Sequence, residues 1–209
     1  MTTYVFDFDG TLVDSMPVFV QAMVTMFEES GLAMPDDFVK KITPLGYKGT
    51  AAYAASCGFT GSIDGFVQRA SALTIPAYHH TIPLKDGVRE ALCALHERGD
   101  RLNILTASPH SVLDVCLKRL GVYDWFEYVW SCVDFSLTKA DVPLYHAVAN
   151  ALGVPIGACV FIDDNIGSIT TAKRAGMTAV GVFDASSEDL VAEMKAAADR
   201  YIYSLTELL

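Results

Sequence analysis

The chain has 209 residues, of which 52% are hydrophobic and 19% charged, and it carries a formal net charge of −10. That composition supports a buried core and excludes disorder, and the acidic balance excludes nonspecific nucleic-acid binding, which needs lysine and arginine against phosphate. A small anionic substrate stays compatible, because a bound metal or one lysine can reverse the field locally. No stretch reaches the ~18 apolar residues of a membrane span, and the N-terminus lacks the basic and apolar regions of a leader. Cys57, Cys93, Cys116, Cys132 and Cys159 are odd in number and form no Cys-x-x-Cys pair. Such usage fits a reducing compartment, with the thiols as small buried hydrophobes. A soluble, cytoplasmic protein is expected, with nothing that demands more than a monomer.

In chain order, Tyr4 to Phe6 is a short apolar run, and Asp9-Gly10 is a turn signal. A buried strand therefore delivers Asp7 and Asp9 into a glycine turn. Strand periodicity puts residues i and i+2 on one side, where two carboxylates repel unless a cation or a shared proton relieves them. A hard, oxygen-seeking ion such as magnesium suits them; two loop-capping aspartates are the alternative. Met16 to Ser30, Asp36 to Lys41, Thr50 to Cys57 and Ile63 to Tyr78 read as helices, broken at Gly31, the Pro44 to Gly49 loop and Gly58 to Gly61. His79 and His80 follow, with no nearby Cys or His to complete a zinc set, so packing near a hinge is expected of them.

Helical spacing returns from Asp86 to Arg98, and four further strands are expected at Arg101 to Thr106, Tyr128 to Cys132, Ala158 to Asp163 and Thr178 to Phe183. Helices at Ser111 to Leu120, Val142 to Leu152 and Ser168 to Ala175 separate them, each ending before a glycine, and an amphipathic helix runs from Leu190 to Ala198. This alternation predicts an α/β fold, a Rossmann-like parallel sheet with helices on both faces. About 90 residues separate the first two strands, far more than a crossover helix needs, so a small α-helical cap is inserted at 16–81 into a core formed by 1–15 and 82–209.

Ligands in such a sheet bind at the carboxyl ends of the strands. Strand one ends at Asp7 and Asp9, the second at Thr106-Ala107-Ser108, the fourth at Asp163-Asp164, and Lys139 follows the third. Singly these read as a helix cap, a surface lysine and a turn. Together they supply a nucleophile, a hydroxyl, a cation and metal ligands around one point.

With these motifs the chain resembles the haloacid dehalogenase superfamily, in its branch with a helical cap after the first motif, over nearly its whole length. Asp7-Phe8-Asp9-Gly10-Thr11-Leu12-Val13-Asp14-Ser15 is similar to the DxDGTLxDS form. Leu105-Thr106-Ala107-Ser108, Lys139 and Phe161-Ile162-Asp163-Asp164-Asn165 stand at the later motifs, followed by Ala172-Lys173-Arg174-Ala175-Gly176-Met177. The resemblance implies a magnesium-dependent phosphatase acting on a small phosphorylated metabolite through an aspartyl-phosphate. Asp7 would be the nucleophile and Asp9 the general acid and base. Magnesium would be held by Asp7, the Asp9 backbone carbonyl and Asp164, with Asp163 in the outer shell. Thr106, the backbone N–H of Ala107 and Lys139 would bind the phosphoryl group.

Two departures stand out: the frequent Lys-Pro-x-Pro becomes Lys139-Ala140-Asp141-Val142-Pro143, although Tyr145 keeps its usual distance, and Ser168 replaces an aspartate or asparagine. Dehalogenases and phosphonatases of the superfamily lack an acid at the position of Asp9, so Asp9 favours phosphate esters. Sugar-phosphate mutases share Asp9, but their cap histidine falls at about Phe19 here. A silent relative that only binds a phosphometabolite or a partner is the remaining alternative. Lys48 stands near where the mutase cap meets a distal phosphate, and either binds an anionic substrate there or is a solvated lysine.

Overall fold

The computed structural model describes all residues, 1–209, and arranges six strands in one parallel sheet. They are β1 (Thr3–Phe6), β2 (Arg101–Thr106), β3 (Tyr128–Ser131), β4 (Cys159–Asp163), β5 (Thr178–Val182) and β6 (Arg200–Ile202), in the spatial order 3-2-1-4-5-6. The central strand is β1, where Phe6 is in register with Ile104 of β2 and Ile162 of β4. Between β1 and β2 the chain builds α1 (Met16–Glu29), α2 (Phe38–Ile42), α3 (Gly46–Ser56), α4 (Ile63–His80) and α5 (Val88–Glu97). The later crossovers are α6 (His110–Leu120), α7 (Val142–Leu152), α8 (Ile166–Ala175) and α9 (Val191–Ala197).

Period-2 alternation sorts the strand residues into two cores. Tyr4, Phe6, Ile104 and Ile162 pack on one face with Leu92 and Leu95 of α5 and Leu113 and Leu117 of α6. Val5, Leu105 and Phe161 pack on the other with Leu144 and Val148 of α7 and Ile169 and Ala172 of α8. Burial on both faces explains why the strands are nearly continuous apolar runs. The order reverses at β1, with β2 on one side and β4 on the other, which opens a crevice at their carboxyl ends.

Helices α1 to α4 close on a third apolar cluster that includes Phe19, Met23, Phe27, Phe38, Ile42 and Phe66. Phe27 is its hub, with ring centroids of Phe38, Tyr53 and Phe66 at 4.6, 6.0 and 6.5 Å. Helix α4 begins at Ser62, whose hydroxyl accepts from the Gly65 N–H, and contains Pro76. Its last turn leaves this layer, since Tyr78 is buried in the sheet core instead.

Three expectations change. A sixth strand, β6, pairs with β5 and buries Ile202; three residues are too short to show alternation in sequence. The Pro44 to Gly49 segment is not a loop: Thr43–Leu45 is a 3₁₀ turn that runs into α3 at Gly46. Its two glycines and proline mask the helical pattern. All five cysteines are free, but Cys57 is exposed rather than buried, because it caps the end of α3. No helix is long and apolar enough to cross a membrane.

Truncating the hub of the helical layer leaves a cavity that its aromatic neighbours cannot fill. Phe27→Ala is expected to cost about 3–5 kcal/mol, read from the urea midpoint. A loss below about 1 kcal/mol would show that the layer repacks freely.

Candidate active site

The site is assembled where β1, β2 and β4 end. Asp7 follows β1 on the face of Val5, and Asp163 closes β4 on the face of Phe161, so both carboxylates meet on one side of the sheet. Between them lies Lys139, its Nζ 2.5 Å from Asp7 Oδ1 and 2.8 Å from Asp163 Oδ2. The lysine is not a surface residue, since only 12% of its side chain is exposed. Its turn is held locally: the Thr138 N–H and hydroxyl both donate to Asp141 Oδ2 at 2.8 Å, and the buried Tyr145 hydroxyl donates to the Lys139 carbonyl at 2.9 Å. The altered sequence after Lys139 therefore still delivers its ammonium.

Asp164 approaches from the turn after β4 and accepts a hydrogen bond from Thr11 at 3.1 Å. Gly10 is required opposite it. Its φ is +74°, and a Cβ there would lie 2.7 Å from Asp164 Cγ. Asn165 caps α8, its side-chain oxygen accepting the Gly167 and Ser168 N–H groups, while its own N–H donates to Asp163 Oδ1 at 2.7 Å. The Ser168 that replaces the expected acidic or amide residue is buried in this first turn, with no carboxylate to offer.

Asp7, Asp163 and Asp164 are buried, and one oxygen from each lies within 4.8 Å of the others. Their electrostatics are unbalanced. Burial first, and then Asp163, push Asp7 up to about 7 despite Lys139. Burial, Asp163 and Asp7 hold Asp164 well above the usual carboxylate range. Burial alone would pull Lys139 down, but Asp163 and Asp7 more than offset it and keep the ammonium charged. One lysine cannot neutralise three carboxylates, and Asp7 Oδ1 is buried without a hydrogen-bond donor of good geometry. An all-oxygen, anionic donor set whose charge one lysine leaves unbalanced fits a hard divalent cation.

Asp9 is placed differently. The chain leaves the strand at Phe6, so period-2 logic does not carry through to residue 9. Its carboxylate accepts hydroxyl protons from Ser15 at 2.7 Å and Tyr78 at 2.5 Å on Oδ1, and from Ser108 at 2.5 Å on Oδ2. The repelling pair expected of Asp7 and Asp9 is thus not the pair that forms; Asp7 is crowded by the aspartates of β4. Thr106 is buried and accepts the Ser108 N–H at 3.1 Å, which leaves its own O–H free to donate, and Ala107 is exposed between them. Thr106 does not cap α6, whose N-cap is Pro109.

Lys48 is exposed in the first turn of α3 and outside this network, while Phe19 is buried against Tyr47. Sequence reasoning missed Tyr78 and the Lys85–Asp184 pair. Lys85 Nζ donates to the carbonyls of Gly10 at 2.5 Å and Phe183 at 2.7 Å and to Asp184 Oδ2 at 2.8 Å, tying the glycine turn to the end of β5. Only Ser15 and Ser108 carried a signal, as members of recognisable motifs. His79 touches the Ser111 carbonyl at 3.3 Å, which is packing rather than ligation.

A carboxyl whose folded-state pKa is raised binds its proton more tightly in the native protein, so stability is lost as pH rises through that value. In metal-free protein, Asp7 should lower stability as pH rises from about 4 to about 7, with Asp164 acting in the same direction. Thermal melts in chelator should therefore fall more steeply with pH for wild type than for Asp7→Asn. Equal slopes would contradict the burial of this charge.

Amino-acid and structural comparisons show which known proteins the chain is similar to. A family model described as haloacid dehalogenase-like hydrolase matches residues 1–176. Hexitol phosphatase B of Escherichia coli (strain K12) is 28% identical over 185 residues, covering 85% of this chain and 82% of that protein. The phosphoglycolate phosphatase of Rhodospirillum rubrum is 29% identical over 203 residues, covering 93% and 84%. A crystal structure of a haloacid dehalogenase-like hydrolase from Bacteroides fragilis shares the fold at a TM-score of 0.87, with 23% identity over 100% of this chain and 99% of that one. With its strand-end aspartates, threonine and lysine inside the matched region, the chain belongs to the haloacid dehalogenase-like hydrolases and is a phosphatase.

Proposed function

We propose that this phosphatase hydrolyses a small phosphate monoester in two steps that share Asp9, by way of a phosphorylated Asp7. The observation that carries the reading is the different company of the two carboxylates: Asp7 sits with an ammonium and two buried acids, and Asp9 is bound by three hydroxyls. In the first step an Asp7 oxygen attacks phosphorus, the bond to the ester oxygen breaks, and Asp9 gives that oxygen its proton. In the second, Asp9 takes a proton from water, the water oxygen attacks phosphorus, and the bond to Asp7 breaks to release inorganic phosphate. Lys139 favours the ionised form of Asp7 against the burial that opposes it and, with the Thr106 hydroxyl and the Ala107 N–H, stabilises the equatorial phosphoryl oxygens.

Magnesium is the proposed cofactor, held by the carboxylates of Asp7 and Asp164 and the Asp9 carbonyl, with Asp163 beyond them. Its chemistry there would be to neutralise clustered negative charge as an anionic ester meets an anionic nucleophile. The helical layer at 16–81 is proposed to act as a cap that opens for substrate and closes to exclude water. Two side-chain links join the layer to the core: Asn165 Nδ2 donates to the Pro44 carbonyl at 3.4 Å, and Lys40 pairs with Asp189 at 3.2 Å. Both links are exposed and weak enough to open. The free cysteines support a reducing, cytoplasmic setting, and a monomer is sufficient for every group named.

Asp7→Asn should abolish release of phosphate from an aryl phosphate, and chelation should do the same reversibly, restored by magnesium. Asp9→Asn should slow turnover by roughly 10²–10⁴. Near-normal rates in either variant would overturn its role.

Hexitol phosphatase and phosphoglycolate phosphatase bear names that point to phosphate esters whose distal end is neutral in one and a carboxylate in the other, and Lys48 is the exposed cap residue proposed to meet an anionic distal end. Lys48→Ala should raise KM for phosphoglycolate while leaving that for a hexitol phosphate unchanged. No change for either would remove Lys48 from the site.

A further inference from the structure

We propose that Tyr78 is a positioning residue for Asp9, holding the acid and base carboxylate in a fixed orientation from the junction of the helical layer and the core. The proposal rests on the role given to Asp9 above and adds to it the residue that makes the role possible. A carboxylate on a single methylene turns easily about its last torsion. Here three donors from three separate segments hold it: Ser15 from the turn before α1, Ser108 from the turn after β2, and Tyr78 from the last turn of α4. Ser15 and Tyr78 share Oδ1 and Ser108 takes Oδ2, so the carboxylate plane is set and not merely its position.

Tyr78 can serve this purpose because it is itself immobile. The residue is 4% exposed, and its ring lies nearly parallel to Phe8, 25° between planes with centroids 6.2 Å apart. Arg119 of α6 donates to its carbonyl at 3.3 Å and also to that of Ile82, so the last turn of α4 is pinned to the core. A hydroxyl donating to a carboxylate in a buried site is among the stronger hydrogen bonds available. Were Tyr78 only a filler of the core, the ring without its hydroxyl would serve equally well.

Tyr78→Phe keeps the ring stacked on Phe8 and deletes only the donor. The measurement is kcat/KM with magnesium for two esters, a simple alkyl phosphate and 4-nitrophenyl phosphate, whose leaving oxygen needs little help from a proton. With the alkyl ester the variant should lose roughly 10- to 100-fold, the size expected of a hydrogen bond to a charged group. With the nitrophenyl ester the loss should be several-fold smaller, and the inhibition constant of inorganic phosphate should not move. A wild-type rate on both esters, or an equal loss on both, would overturn the proposal, as would a melting temperature so low that the loss reflects unfolding. Asp9→Asn run alongside separates the two readings. If it keeps wild-type rates, the acid and base role fails and Tyr78 falls with it; if it is inactive while Tyr78→Phe is unaffected, only Tyr78 is excluded.

Discussion

The structure depends on the burial of like charge. Three buried carboxylates, Asp7, Asp163 and Asp164, crowd together with one ammonium between two of them, and the remaining negative charge costs stability in the isolated chain. Proteins retain such clusters where the unmet charge is met by a ligand. The surrounding framework serves this purpose. Thr11 and Asn165 hold the acids, Gly10 lets the turn approach Asp164, and Lys85 keeps that turn in place from behind. A dense apolar sheet on both faces supplies the rigidity that prevents the carboxylates from simply moving apart.

A second constraint separates the two aspartates of the first motif. They are two residues apart, yet they stand in different electrostatic environments because the strand ends before Asp9 is reached. Asp7 is turned into the crowded crevice, and Asp9 is turned toward hydroxyl groups contributed by the core and by the helical layer. Environments that push two carboxyls toward different tasks are the usual basis of paired acid–base chemistry. The short peptide between them, with Phe8 fully buried, is the structural means of that separation.

Most of the sheet was legible because its strands are buried on both faces and so read as apolar runs between helices ended by glycine. Strand β6 was not, since three residues with Tyr201 and Ile202 carry no periodic signal and their pairing is decided by β5. The start of α3 was hidden by Gly46 and Gly49, residues that local rules assign to turns. At the site, Asp7, Thr106 and Asp164 stand at or just past strand ends, where the alternation of elements already pointed, while Lys139 follows β3 at a distance and was singled out by its motif. The closeness of Asp163 to Asp7 was not legible, because it follows from the register of β1 and β4 and not from local spacing. Tyr78 and Lys85 were illegible for a related reason. Each reaches the site from 69 or 75 residues away in sequence, and neither sits in a local pattern that distinguishes it from a core tyrosine or a surface lysine.

Pro76 has a mechanical consequence for how the two parts of the molecule move. A proline within a helix removes the bond to the carbonyl four residues back, here that of Ala72, and kinks concentrate at such a point. The residues before it, Phe66 and Ala70, belong to the helical cluster, and the residue two beyond it is clamped to the core. Bending stiffness along α4 is therefore lowest just above the clamp. A rotation of the helical layer would flex the helix as a leaf spring does, near its fixed end, so that the load is spent at Pro76 and the phenol below it does not shift.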